Sequence, residues 1–120
     1  MRRTLLAAAA LLTLIIARPA FAQVGAIAYD IESGRWGVTW NQPNFGAAEA
    51  RALRDCGAPG CTIRLRIGPG ECGALATTGN RVGWGTSVHR RRDRARMGAL
   101  ETCQRFNRGE CFVRAWDCNR

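Results

Sequence analysis

The sequence is written twice. Val24-Gly-Ala-Ile-Ala28 returns as Cys72-Gly-Ala-Leu-Ala76, 72 − 24 = 48 positions later. The residues after each copy also correspond, type by type. Self-similarity at this period constrains the fold more than any single motif does, because both copies must adopt the same supersecondary unit.

The first copy, residues 24–68, opens with a short apolar run, Gly25-Ala-Ile-Ala-Tyr29, and then the turn-like Asp30 to Gly34. Arg35-Trp-Gly-Val-Thr-Trp40 alternates large and small side chains as a strand does, with Trp36, Val38 and Trp40 on one face. Asn44 suits a helix N-cap. Beyond it Phe45, Ala48, Ala52 and Cys56 recur at helical spacing, until Gly57-Ala-Pro-Gly60 ends the helix. Cys61 to Ile67 alternates strictly and predicts a third strand. The second copy, residues 72–118, repeats the order. Gly73 to Ala76 is the first strand and Gly79-Asn80 a tight turn. Arg81 to Thr86 aligns with Arg35 to Trp40. The helix runs from Arg92 to Cys103, where Ala99-Leu-Glu-Thr-Cys103 answers Ala52-Leu-Arg-Asp-Cys56, and Cys111 to Trp116 answers Cys61 to Arg66. The expected fold class is α+β: two tandem β-β-α-β repeats, about six short strands and two helices, in one disulfide-stapled domain. The pattern leaves open whether the strands form one open sheet or close into a barrel.

Residues 1–22 stand apart. Arg2 and Arg3 precede a run from Leu5 to Ala17 that is apolar apart from Thr13, and Ala20-Phe-Ala22 fits a small-x-small cleavage site. They read as a cleaved signal peptide, leaving a single exported domain, 23–120, of 120 − 22 = 98 residues. The apolar run is short for a bilayer and no later stretch is better, so no transmembrane span is expected in the mature chain. The expected location is the periplasm or the medium.

All six cysteines come after that segment. An even count in a short exported chain reads as three disulfides. The repeat selects among the pairings. Each helix ends in a cysteine and each third strand begins with one, so Cys56–Cys61 and Cys103–Cys111 close locally. Cys72–Cys118 remains. It sets the first and last strands of the second unit side by side and antiparallel, giving the strand order two-one-three. The spacings are not C-x-x-C and His89 is the sole histidine, which argues against zinc. No metal and no cofactor are expected.

Gly25-Ala-Ile-Ala-Tyr29, Trp36-Gly37, the alanine-rich helix ending in Cys56-Gly57, Cys61, Cys72-Gly-Ala-Leu-Ala76, Gly83-Trp84-Gly85, Cys111 and Cys118 together resemble the exported bacterial domains called domain of unknown function 4189. The resemblance covers nearly all of residues 23–120. It implies export and a shared fold, and it brings no catalytic residues with it.

Charge supplies the functional leads. Residues 23–120 hold 15 arginines, no lysine and 9 acids, a net +6. The run His89-Arg-Arg-Arg-Asp-Arg-Ala-Arg96 lies where the second helix begins, and the matching Pro43 to Glu49 has no arginine. Cations there oppose the helix dipole. Arg90, Arg91, Arg92, Arg94 and Arg96 are therefore a candidate anion site, since guanidinium forks match phosphate, carboxylate or sulfate. The alternation of the third strands offers a second candidate. Thr62, Arg64 and Arg66 are expected on one face, opposite Ile63, Leu65 and Ile67; Phe112, Arg114 and Trp116 likewise, opposite Val113 and Ala115. Arg64, Arg66, Arg114 and Trp116 would then suit a sugar by stacking and an anion by charge. Trp36, Trp40 and Trp84 are expected in the core, where a small domain needs large side chains.

Catalysis finds little support. Ser33 and Ser87 are the only serines and neither lies in a nucleophile motif, the cysteines are committed to disulfides, and the acids are scattered. The expected function is that of a non-enzymatic exported binding module for anionic envelope glycans or an acidic protein. The alternative is an inhibitor or immunity-type partner of an envelope enzyme. Export argues against nucleic acid as the physiological partner.

Overall fold

The computed structural model describes residues 23–120. The expected signal peptide, 1–22, lies outside the described residues. The elements run β1 (Val24–Tyr29), β2 (Trp36–Gln42), α1 (Phe45–Cys56), β3 (Thr62–Ile67), β4 (Cys72–Thr78), β5 (Trp84–His89), α2 (Arg92–Phe106) and β6 (Cys111–Cys118). The two β-β-α-β repeats are both present. Each forms its own three-stranded antiparallel sheet, ordered β2-β1-β3 and β5-β4-β6. The three disulfides are Cys56–Cys61, Cys72–Cys118 and Cys103–Cys111.

The six strands make neither one continuous sheet nor a barrel. The two sheets pack face to face, and each carries its helix on the outer face, so the layers run helix, sheet, sheet, helix. Every residue of β1 and β4 is buried, as expected for central strands covered on both sides. Alternation divides their side chains. Ala26 and Ala28 pack under Ala48, Ala52 and Cys56 of α1. Ala74 and Ala76 pack under Ala95, Ala99 and Cys103 of α2. Between the sheets, Ile27, Tyr29, Ile67 and Leu75 form a core seam shared by both units, with Trp36, Val38, Trp40, Leu65 and Trp84 packed against it. Trp36, Trp40 and Trp84 thus pack against the core, as their size suggested, but each is only partly buried.

Small residues on both sides let each helix lie close to its sheet. A Cβ on Gly37 would sit 2.5 Å from the Cys56 backbone nitrogen, and one on Gly85 would sit 2.8 Å from the Ala99 carbonyl oxygen. These two glycines are structural equivalents, which corrects the alignment of Arg81 to Thr86 with Arg35 to Trp40. Gly37 pairs with Ala28 and Gly85 with Ala76. Trp36 therefore answers Trp84, and 84 − 36 = 48 keeps the initial offset. The arginines that suggested the other alignment are loop residues; the glycine that the helix demands sets the true one.

The helices end differently. Asn44 caps α1 by accepting from the Ala47 N–H at 2.8 Å, and Gly57 closes it with φ 66°. α2 runs three residues beyond the expected Cys103 to Phe106, where Asn107 Nδ2 donates to the Cys103 carbonyl at 2.9 Å. The units are tied by buried Asn119, whose Nδ2 donates to the Ile67 and Gly68 carbonyls at 3.0 and 2.9 Å. Its Oδ1 accepts from the Asn41 N–H at 2.9 Å.

Candidate functional site

The basic run sits at the end of β5 and the start of α2. Arg91 occupies the N-cap without a side-chain capping bond, and its N–H donates to His89 Nδ1 at 3.0 Å. Arg91 Nε lies 3.6 Å from Asp93 Oδ1, with both side chains exposed. Such a pair contributes little. Arg90, Arg92 and Arg94 are exposed and have no ion pair among the described residues. Arg96 turns toward the sheet, its guanidinium 5.2 Å from the ring centre of Trp116. The fold thus joins one residue of the basic run to one of the strand candidates.

The strand-face expectation needs correction. Arg64 and Arg66 do not share a face, and neither do Arg114 and Trp116. Both third strands carry a β-bulge, between the Ile27 and Ala28 partners in one unit and the Leu75 and Ala76 partners in the other. The extra residue is Arg64 in β3 and Arg114 in β6. A bulge inserts one residue and re-aims the side chains around it. Arg66 consequently lies on the helix side, with Nε 2.5 Å from Glu49 Oε1 and its guanidinium over Phe45. Trp116 is on the helix side too, under Arg96. Arg64 turns into the seam, 4.9 Å from the Trp84 ring centre. Arg114 Nε donates to Thr77 Oγ1 at 2.9 Å and its guanidinium covers Phe112.

At the hairpin end of the seam the two units meet around Tyr29. Its hydroxyl donates to the Arg81 carbonyl, and its ring is 6.3 Å from Trp84. Burial pushes the phenol above its ordinary pKa, while the nearby Arg81, Arg114 and Arg64 charges pull it back. Arg81 reaches across to Trp36, 5.8 Å from its ring centre. Three arginines from three different segments thus lie near one buried tyrosine. The sequence signal for it was an arginine at the same place in both third strands; Tyr29 and Arg81 carried none. Beside them, Asp30 is buried and its carboxylate accepts from Ser33 Oγ at 2.7 Å and the Glu32 N–H at 3.0 Å. Those bonds hold it below the usual carboxylate range. Among the described residues, no three metal-ligating side chains cluster and no helix is long and apolar enough to cross a membrane.

The sequence profile of the family "Domain of unknown function (DUF4189)" matches residues 24–118. The chain belongs to the DUF4189 family. The matched span covers both repeats, so the family unit is the whole double structure. Protein Rv1269c of Mycobacterium tuberculosis is similar, 42% identical over 52 residues, which is 43% of this chain and 40% of that one. Protein Mb1300c of Mycobacterium bovis matches to the same extent. The chain thus spans well under half the length of the curated relatives it matches. The NMR structure of Rv1813c from Mycobacterium tuberculosis superposes with a TM-score of 0.57 at 24% identity, covering 99% of this chain and 95% of that one. That likeness establishes a shared fold and nothing about ligands.

Proposed function

We propose that this DUF4189 domain is an exported, non-enzymatic binding module that holds anionic envelope glycans through the start of α2. One observation carries the reading: Arg90, Arg92 and Arg94 are exposed and unpaired among the described residues. Unpaired guanidinium forks on a rigid helix start offer charge and bidentate geometry together. Half-exposed Trp116, stacked with Arg96, adds an aromatic edge beside them, which suits an acidic sugar better than a bare ion. Three disulfides suit an oxidising compartment. The test is titration of the secreted, oxidised protein with polygalacturonate and with neutral amylose. Binding to the acidic polymer alone, weakening steeply with salt and lost on changing Arg90, Arg91, Arg92 and Arg94 to Gln, supports the reading. Equal binding by that variant removes it.

A second reading is an inhibitor or immunity-type partner of an envelope enzyme. It is favoured by the apolar groove that Val82, Trp84, Thr86, Thr102, Phe106 and Asn107 line, where Phe106 is 73% exposed. Capture of one envelope enzyme that survives moderate salt and fails with Phe106→Ser would favour it over the glycan.

A further inference from the structure

Arg64 and Arg114 hold the same place in the two repeats, and that place is the extra residue of a β-bulge. Bulges of this kind re-aim a side chain, and they concentrate next to functional sites. Here they turn an arginine from each unit into the hairpin end of the seam. Each guanidinium lies against an aromatic ring, Arg64 on Trp84, Arg114 on Phe112 and Arg81 on Trp36. Stacking fixes the plane of the fork before any ligand arrives. Arg81 is held through its backbone as well. It adopts φ 65°, uncommon for a residue with a Cβ, and its N–H donates to the Thr78 carbonyl at 2.9 Å while its own carbonyl takes the Tyr29 hydroxyl.

None of the three has an ion-pair partner among the described residues. The acid beside them, Asp30, spends its oxygens on Ser33 and Glu32. Asp55 lines the shallow cleft of about 260 Å³ beside Trp36 and Arg81 and forms no ion pair among the described residues. The Nε–H of Arg64 is buried and has no acceptor among the described residues. A buried donor without an acceptor costs about 1–3 kcal/mol, so native structures rarely leave one unmet.

We propose that Arg64, Arg81 and Arg114 form a second, independent site at the hairpin end of the seam, which takes a small multiply charged oxyanion of the phosphate type. A lone carboxylate would neutralise one guanidinium and offer two oxygens. A tetrahedral dianion balances more of the charge and offers acceptors to Arg64 and Arg81; Arg114, whose Nε and Nη2 already donate to Thr77 Oγ1 and the Thr78 carbonyl, adds its charge and its remaining N–H groups. The α2 surface lies at the other end of the same sheet. Thr77 pairs with Trp84 at one end of β4 and Cys72 with His89 at the other, a separation of roughly 17 Å at strand rise. The two sites are therefore separable by mutation.

The test is titration of the oxidised chain with inorganic phosphate, read by tryptophan fluorescence, because Trp84 and Trp36 carry two of the three guanidinium groups. The expected result is one-site saturation that weakens about tenfold or more in Arg64→Gln and in Arg114→Gln, and is unchanged when Arg92 and Arg94 become Gln. Arg81 is a surface residue, so Arg81→Gln keeps the experiment decisive if a seam variant fails to fold, and it too must weaken binding. A phosphomonoester sugar tested beside inorganic phosphate distinguishes a free ion from a phosphorylated glycan. Absence of saturation in the wild-type protein overturns the proposal. So does binding that survives Arg81→Gln, or binding that is lost with the α2 variant instead.

Discussion

The two repeats are an internal experiment in which one fold has been built twice. Both units keep the glycine under the helix, Gly37 and Gly85. Both keep the helix alanines and the local disulfide between helix and third strand, and both keep the bulge arginine. These are what the fold or the seam needs in common. The units differ elsewhere. Cys72 and Cys118 are joined in the second unit, where the first has Val24 and Gly68. Asn44 caps α1, where α2 has Arg91. The first turn is held by the carboxylate of Asp30, and its counterpart by the hydroxyl of Thr78, which accepts from the Gly83 N–H at 3.0 Å. Only the second helix starts in arginines. Packing explains the shared glycines, alanines and local disulfides; the residues that one unit alone has must be explained locally.

The largest expected effect comes from removing the one disulfide without a counterpart. Changing Cys72 and Cys118 together to Ala should cost about 4 kcal/mol, against about 2 for Cys56 with Cys61, because the longer loop restricts the unfolded chain more. Denaturant melts of the two variants measure the difference; equal losses would show that the second unit does not depend on its long staple. Next in size are Gly37→Ala and Gly85→Ala. Each places a methyl group against helix backbone, and each should cost about 1–3 kcal/mol. Similar losses would confirm that the units use the glycine alike. A loss in only one would break the equivalence.

These residues also mark how much could be read from the sequence. The repeat, strand order and disulfides were legible because each is a local regularity written twice, and periodicity reports local geometry directly. The strand faces were not. Their alternation is visible in Thr62 to Ile67, yet one inserted residue at Arg64 reverses every face beyond it, and nothing in composition marks a bulge. The seam was illegible for a related reason. Meeting of the two sheets depends on tertiary packing of Tyr29, Leu75 and Trp84, residues that any small core would bury. The basic run was legible as charge, but its contact with Trp116 depends on where α2 lands on β6.

Capping gives a smaller contrast. Asn44→Ala should destabilise by about 1 kcal/mol, whereas Arg91→Asn should stabilise by a similar amount, since it supplies the cap that α2 lacks. For a domain of this size each corresponds to a shift of about 4–8 °C in Tm. Opposite signs would sharpen the comparison. A loss in both would mean that Arg91 has a packing role.

Acid separates the turns. Asp30 has a folded pKa below its ordinary 3.8. The stability this contributes is present above the unfolded value and is lost as pH falls through the folded one. Melts from acid to mildly acid pH should therefore show a decline below about pH 4, which Asp30→Asn flattens. Hydrogen exchange should place the early opening at residues 30–35. The Thr78 turn has no titrating group and should hold. Opening of both turns together would show that the loss is global repulsion among arginines.

The smallest effect is expected where the repeats differ most in charge. Five arginines stand in the stretch from Arg90 to Arg96, both ends included, and the first unit builds an equivalent helix start without any. Fold stability therefore does not require them, and the helix dipole mildly opposes them. Arg91 touches Asp93 only at 3.6 Å between exposed groups, and Arg90, Arg92 and Arg94 have no ion pair among the described residues. Changing these four to Gln should shift stability by no more than about 0.5 kcal/mol per site. Arg96 is left in place because it covers Trp116. An unchanged melting temperature would leave binding as the reason for their number. A large loss would show that the arginines stabilise α2 itself, and the contrast between the two helix starts would then be one of packing.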